Sequence, residues 1–560
     1  MCTMRWYMRA CGIIKEEKKS KMPVKQFIHQ SPLASGQMPS MQLQGAMISS
    51  QPMPAMETPR PRTWRERMMR RFGMDTAVPL TKGERTIPNW IPGRSVAFFF
   101  IALFACWLAW GYVPAMDLVI VSVISILVFF LGGSAMSKAW SNVREKQFLR
   151  NVFVVGLLIR LIWLLYCWFF FNMEHYNSIY GDQADTGWYM EFAKNIAQWI
   201  TGNRTLSLSE LFEVNGAAID DTGYPMWLAV GYLIWGQLSD AFIPMVIKCI
   251  VSAYCAVSIY YVAQRHFGEG AARMAAVFVC LNPNIIYWCG TMFKESEMVF
   301  LVCLAVDNFD RVLTSGKKFT FKSLLPGTLA AMALLFFRTP LGIVMFFAVF
   351  AHIVMASQRV MSMGKKIIAG VLVGLVLAVS MGDRIIKQTE HLLESAQSDS
   401  QQRNMEWRST RKNGNAFAKY AGAVVFAPLI FTIPFPTFNV ANETQYLQMQ
   451  LAGGSYIKNI FSFFVIMVMF MMLISGEWRQ HVFIIGYTVG YLMMLVMSEF
   501  AHSGRFHMPI WPMLMLFAAY GIQVAKTNKK LRRWFPIALV LEVFICLAWN
   551  WFKLKGRGMI

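Results

Sequence analysis

Long apolar runs of about 18–22 residues follow one another along most of the chain, separated by short polar intervals. Each is long enough to cross the roughly 30 Å hydrocarbon core of a bilayer as a helix. The runs are continuously apolar and do not alternate between two faces, which excludes a transmembrane β-barrel. Thirteen are expected to span: 95–113, 115–134, 151–171, 241–263, 271–289, 295–313, 322–338, 340–357, 365–381, 456–474, 480–498, 508–525 and 534–552. The expected fold is an all-α polytopic membrane protein, a bundle of about 13 transmembrane helices.

Two further apolar segments, 223–238 and 420–438, are settled by the distribution of positive charge. Lys and Arg collect in 135–150, 264–273, 311–322, 358–366 and 526–533, and these intervals fall on one side only if neither segment crosses. Segment 223–238 is then a helix in or against the outer leaflet. Segment 420–438, with Pro428, Pro434 and Pro436, is a re-entrant or interfacial piece. The amino terminus lies inside. The large extracytoplasmic segments are about 172–240 and 382–455, and 456–560 holds the last helices. Lys553, Lys555 and Arg557 follow the last run and favour the inside, against this threading.

Composition adds to this picture. Of 560 residues 56% are hydrophobic and 15% charged, so soluble and disordered classes are excluded. The net charge of +22 is concentrated first in residues 1–94, where 16 Lys and Arg stand against 6 Asp and Glu. This basic stretch, rich in Ser, Gln, Met and Pro over 30–63, is expected to be a largely disordered cytoplasmic tail facing anionic lipid; no nucleic acid is needed to explain it. The cysteines show neither disulfide nor metal spacing. No cleavable signal peptide or endoplasmic-reticulum signal is visible, so a bacterial inner membrane is the expected host.

Candidate chemistry gathers at the outer ends of the spans. In 172–222 eight acids face only Lys194 and Arg204. From Trp188 to Ile200 the apolar positions Trp188, Phe192, Ile196, Trp199 and Ile200 recur at helical spacing, an amphipathic surface helix with Asp182 and Asp185 just ahead of it. Asp185 has two readings: an ordinary helix cap, or an ionised carboxylate acting as general base toward a hydroxyl. Lys294, Arg338 and Arg505 lie at outer ends of spans, against the usual bias. Arg338, within ALLFFRTPLGIV, either snorkels or pairs with Glu295 or Glu499, or else it holds an anionic ligand. Arg505 and His507, with His502 in EFAHSGRFHMP, form either a hydrated loop or a phosphate contact.

Three motifs occur in order over about 150–525: RLIWLLY with Asp185-Thr186-x-x-Tyr189-x-x-x-Ala193 and GYPMWLAVGYLIWG; LNPNIIYWCGTMFKE; and SGRFHMPIWPMLMLFAAYG. Together they resemble the GT-C superfamily of polyprenyl-phosphate-dependent membrane glycosyltransferases, which includes protein O-mannosyltransferases and aminoarabinose transferases. The resemblance implies a GT-C-like transmembrane core over 151–381, preceded by an extra hairpin at 95–134. It implies transfer of a sugar from a polyprenyl-phosphate carrier to a glycan, lipid or protein acceptor on the extracytoplasmic side, with inversion. Asp185 would be the base; Tyr189 belongs to the motif; Asp182, Asp221 and Glu295 would orient the acceptor. Lys294, Arg338, Arg505 and His507 would hold the phosphate. A divalent cation, Mg or Mn, would sit on Asp182, Asp185 and Glu295 if one is used. The Asp-Thr pair and Lys294 depart from the superfamily pattern and leave the sugar and the metal open. The alternatives are a repeat-unit polymerase or ligase using polyprenyl-diphosphate glycans, and a transporter or flippase. For the transporter, Lys248 and Asp307 inside apolar runs are the best support.

Overall fold

The computed structural model describes residues 64, 67–68, 85–110, 116–171, 183–203, 207, 210–211, 221–235, 242–315, 321–355, 452–497 and 504–556. The expected spans at 365–381, the segment 420–438, the tail before Arg85 (three positions aside) and most of 382–455 lie outside these residues. Among the described residues the secondary structure is entirely helical. Six helices are long and apolar enough to cross a membrane, and three shorter apolar helices accompany them.

The first part of the bundle holds α1 (Trp90–Trp110), α2 (Met116–Leu127), α3 (Gly133–Ala139) and α4 (Glu145–Tyr166). A π-helical turn, Val128–Gly132, joins α2 to α3, and a second, Cys167–Phe171, ends α4. Next come α5 (Gln183–Ile200), α6 (Gly223–Trp235), α7 (Phe242–Leu281), α8 (Pro283–Tyr287) and α9 (Glu295–Thr314). The rest are α10 (Phe321–Phe337), α11 (Thr339–Met355), α12 (Ala452–Ser475), α13 (Val482–Met497), α14 (Trp511–Thr527) and α15 (Lys529–Gly556).

The 40-residue α7 is two antiparallel helices. Ser252 and Val279–Cys280 would stand ~40 Å apart on a straight helix, yet all three bind the guanidinium of Arg160. The reversal falls at Gly268, whose φ of 81° and ψ of 176° suit only glycine. It matches the basic interval expected between two spans at 264–273. Arg160 is fully buried; it also donates to its own Gly156 carbonyl at 2.9 Å and so fastens α4 to both arms of α7. A buried charge at this depth is tolerated because four acceptors surround it.

Helix α6 covers 13 described residues, about 20 Å, and residues 236–241 after it lie outside the described ones. Helix α5 is amphipathic, as its periodicity predicts, but its buried face is turned from the one expected. Tyr189, Phe192, Ala193, Ile196 and Ala197 are buried, whereas Ile200 is 52% exposed. The two alanines let α5 lie close against its neighbours, and the Tyr189 ring meets Tyr224 of α6 edge-on at 5.1 Å.

Helix α9 runs through the middle of the bundle, packed on α7 and α10. Its acids occupy its two ends, Glu295 and Glu297 at one and Asp307 and Asp310 at the other, roughly 20 Å apart. Each end therefore gathers a charged cluster within an otherwise apolar core.

Candidate active site

The site lies where α9 begins. The LNPN sequence ends α7 and starts α8: the Asn282 side chain accepts from the Ile285 N–H at 3.1 Å, and Pro283 occupies the first helical position, where no N–H is needed. The chain then runs through Trp288–Lys294 as a tight buried loop. Gly290 is obligatory there, since a Cβ would stand 2.6 Å from Cys167 Sγ and 2.7 Å from Trp163 Nε1. Trp163 Nε1 donates to the Tyr287 carbonyl at 3.0 Å.

Lys248, from the first arm of α7, holds the far side of this loop. Its ammonium is 1% exposed and donates to the carbonyls of Thr291 (2.8 Å) and Phe293 (2.5 Å) and to the Tyr224 hydroxyl (3.1 Å). Glu297 lies 3.6 Å away as its counter-charge. The loop is thereby fixed so that Lys294 emerges toward α5 and α6. Lys294 pairs with Asp221 just ahead of α6 and lies over the Tyr189 ring, 5.7 Å from its centre. Burial draws the Lys294 ammonium below the usual lysine range; Asp221 opposes that shift and Arg338 adds to it. Burial foremost, then the Asp221 and Glu295 charges, raises the Tyr189 phenol, which stays neutral and can donate a hydrogen bond.

Arg505 closes the cluster from a 3₁₀ segment, Gly504–Ile510, that leads into α14. Its Nη1 donates to Asp185 Oδ2 at 3.0 Å and its Nε to Glu295 Oε1, so one guanidinium bridges two carboxylates. The same group lies over the Phe293 ring at 4.2 Å. Tyr491 of α13 donates to the Phe506 carbonyl at 2.7 Å and anchors this segment. Arg338, in the turn between α10 and α11, stacks on the Phe506 ring at 4.1 Å. Its Nη1 is buried with no hydrogen-bond partner among the described residues, and so is Glu295 Oε2.

Asp185, Glu295 and Arg505 thus meet directly, and Asp221, Lys294 and Tyr189 meet beside them. Arg338 lies next to both groups through Phe506 and Lys294. His507 faces the other way, its Nδ1 2.5 Å from the ammonium of Lys458 on α12. Asp182 lies outside the described residues. Asp185 does not precede the helix: α5 starts at Gln183, so Asp185 is in its first turn and its carboxylate engages Arg505. Arg338 does not pair with Glu295: Oε1 of that carboxylate goes to Arg505, and Oε2 has no hydrogen-bond partner among the described residues.

In the sequence Lys248 falls at the eighth position of the apolar run 241–263, and its partners come only from the fold. Tyr224, Phe293, Glu297, Lys458 and Tyr491 carried no signal beyond apolar or helix-end context. Asp307 lies at the opposite end of α9, paired with Arg265 at 2.7 Å.

Of the three carboxylates expected to hold a divalent cation, Asp182 lies outside the described residues. Asp185 and Glu295 already share the counter-charge of Arg505, and among the described residues no three His, Cys, Asp or Glu side chains converge as ligands.

Carboxylates and fixed cations gathered at one mouth of a membrane helix bundle meet the needs of a transferase acting on a lipid-borne phosphate, and the chain is a membrane glycosyltransferase of the GT-C type. The model of the Alg9-like mannosyltransferase family matches residues 218–555, and the chain belongs to that family. It is accordingly a multi-pass membrane mannosyltransferase that uses a lipid-linked sugar donor. No curated protein and no solved structure matches it.

Proposed function

We propose that this chain transfers one mannose, with inversion at the anomeric carbon, from a polyprenyl-phosphate carrier to a glycan hydroxyl on the extracytoplasmic face. The supporting observation is the Arg505 guanidinium held between Asp185 and Glu295, beside the unsatisfied donor of Arg338.

In this reading the donor phosphate docks against Arg505, Arg338 and Lys294. The incoming anion competes with Asp185 for Arg505, and the freed carboxylate then faces the acceptor. Asp185 takes the proton of the acceptor hydroxyl as that oxygen bonds to the anomeric carbon. The bond from that carbon to the phosphate oxygen breaks, and the cations stabilise the charge left on the phosphate. Glu295, fully buried, keeps Arg505 in place throughout. Lys248 and Glu297 hold the 291–293 loop, and with it Lys294, in register. Asp221 and the neutral Tyr189 hydroxyl orient the acceptor.

The test is Asp185→Asn in the full-length protein, assayed with polyprenyl-phosphate mannose. Transfer is expected to fall about 10²–10⁴-fold while the carrier lipid still binds. Full activity in a folded variant overturns the assignment of the base, and products extended as a ladder overturn single-residue transfer.

A further inference from the structure

At the end of the bundle remote from the active site, the buried and half-buried arginines are answered within the chain. Arg85 pairs with Glu269 at 2.7 Å; Arg265 pairs with Asp307 at 2.7 Å and Asp310 at 2.5 Å; Arg273 pairs with Glu269 at 2.7 Å. Arg94 of α1, half-buried, and Arg532 of α15, exposed, are placed differently. Both guanidinium groups lie over the same indole, Trp90, each 5.4 Å from the ring centre. Arg94 Nη1 reaches the Arg532 carbonyl at 3.5 Å, a weak contact, and among the described residues no acid pairs with either arginine.

We propose that Arg94 and Arg532 form a binding site for the phosphate of an anionic phospholipid in the leaflet at that end. Two like charges over one ring repel, a cost that solvent screening reduces and an anion between them turns into attraction, and a phosphodiester accepts charge-assisted hydrogen bonds from both. The surroundings deepen the deficit of negative charge. Lys529 and Arg533 share the first turns of α15, which hold no acid, and the helix dipole there is already positive. Helix α1 has no acid at all, and the acid of α15, Glu542, is buried against Ser462 almost three turns further along.

The apolar residues further along the same two helices point to a lipid and away from a soluble anion. Above Arg94, at helical spacing, come Ile101, Phe104 and Leu108, 57–71% exposed. On α15 the exposed stripe, Ile537, Val540, Leu541 and Phe544 at 49–63%, stands above the neighbouring Arg533, while Phe535 and Leu539 above Arg532 are buried against the bundle. α1 and α15 pack side by side. Basic groups at the base of two adjacent apolar stripes match the build of one molecule, a phosphate carrying acyl chains. Trp90 itself is held by the Phe535 ring, edge-on at 5.5 Å, so the platform beneath the two arginines is rigid.

The full-length protein, stripped of lipid in a neutral detergent, is titrated with phosphatidylglycerol, phosphatidylcholine or inorganic phosphate. Retention is read by native mass spectrometry and stability by the melting temperature. The expected result is a discrete phosphatidylglycerol adduct that raises the melting temperature and weakens about tenfold or more in Arg94→Gln/Arg532→Gln, with mannosyl transfer in neutral detergent unchanged. Three results overturn the proposal: an adduct undiminished in the double variant, equal retention of phosphatidylcholine, or equal stabilisation by inorganic phosphate, which marks a free-anion site. Should the double variant fail to fold, wild-type protein in mixed-lipid nanodiscs decides: enrichment of phosphatidylglycerol around it supports the site and no enrichment overturns it.

Discussion

The two ends of α9 hold similar residues and use them differently. At the Asp307–Asp310 end the charges are saturated by each other. Asp310 is 1% exposed and hydrogen-bonds Arg265 at 2.5 Å and His266 at 2.6 Å, and Asp307 takes the other branch of Arg265 at 2.7 Å. At the Glu295 end the same kinds of group are brought together and left incomplete. Glu295 keeps one oxygen without a hydrogen bond, Arg338 keeps one donor, and the Asp185 and Asp221 side chains are 45% and 49% exposed. A closed cluster joins α7 to α9 and stabilises the fold. An open one has capacity left for a substrate, which then completes the network in place of water.

Four perturbations test that contrast. The largest effect is expected from Arg505→Lys, which keeps the charge beside Glu295 but cannot bridge two carboxylates. Transfer is expected to drop about 10²–10³-fold with little change in melting temperature; a near-normal rate removes Arg505 from the mechanism. Next comes Asp310→Asn. It should lower stability by about 1.5–3 kcal/mol, seen as earlier thermal unfolding in detergent, while the surviving folded protein keeps its kcat/KM. A selective loss of catalysis instead would break the contrast between the two ends.

Smaller effects depend on pH. Lys294 holds its proton less firmly than an ordinary lysine, so transfer should decline on the alkaline side earlier than such a lysine predicts. Lys294→Arg should move that decline to higher pH; an unmoved limb assigns it to another group. Burial, with His266 nearby, holds His481 down at about 4 from 6.5. The folded state therefore binds fewer protons than the unfolded chain between these values, and stability is lost as pH falls from 6.5 toward 4. Melting temperature should fall on the order of a few °C over that window, and the fall should shrink in His481→Gln.

Much of this molecule could be read from one residue and its near neighbours. Apolar runs marked the helices. The periodicity of 188–200 marked α5, yet it chose the wrong edge as its buried face. Large apolar residues score highest in such a pattern, while the structure packs Tyr189 and two alanines inward and leaves Ile200 out. Asp185, Glu295 and Arg505 were each candidates by type and position. Their meeting, across 320 residues in the case of Asp185 and Arg505, was not written in any local pattern.

The sequence by itself determined an all-helical membrane protein with acids and cations at the ends of its helices, because hydropathy and helical spacing act over a few turns of chain. Tertiary structure alone decided which charge answers which. It turned Lys248 to two loop carbonyls, divided Arg505 between two carboxylates, set His507 against Lys458, and folded α7 back on itself at Gly268. The reason is physical: a charge in a low-dielectric bundle is governed by whatever lies within a few ångströms, and packing brings those groups from every part of the chain.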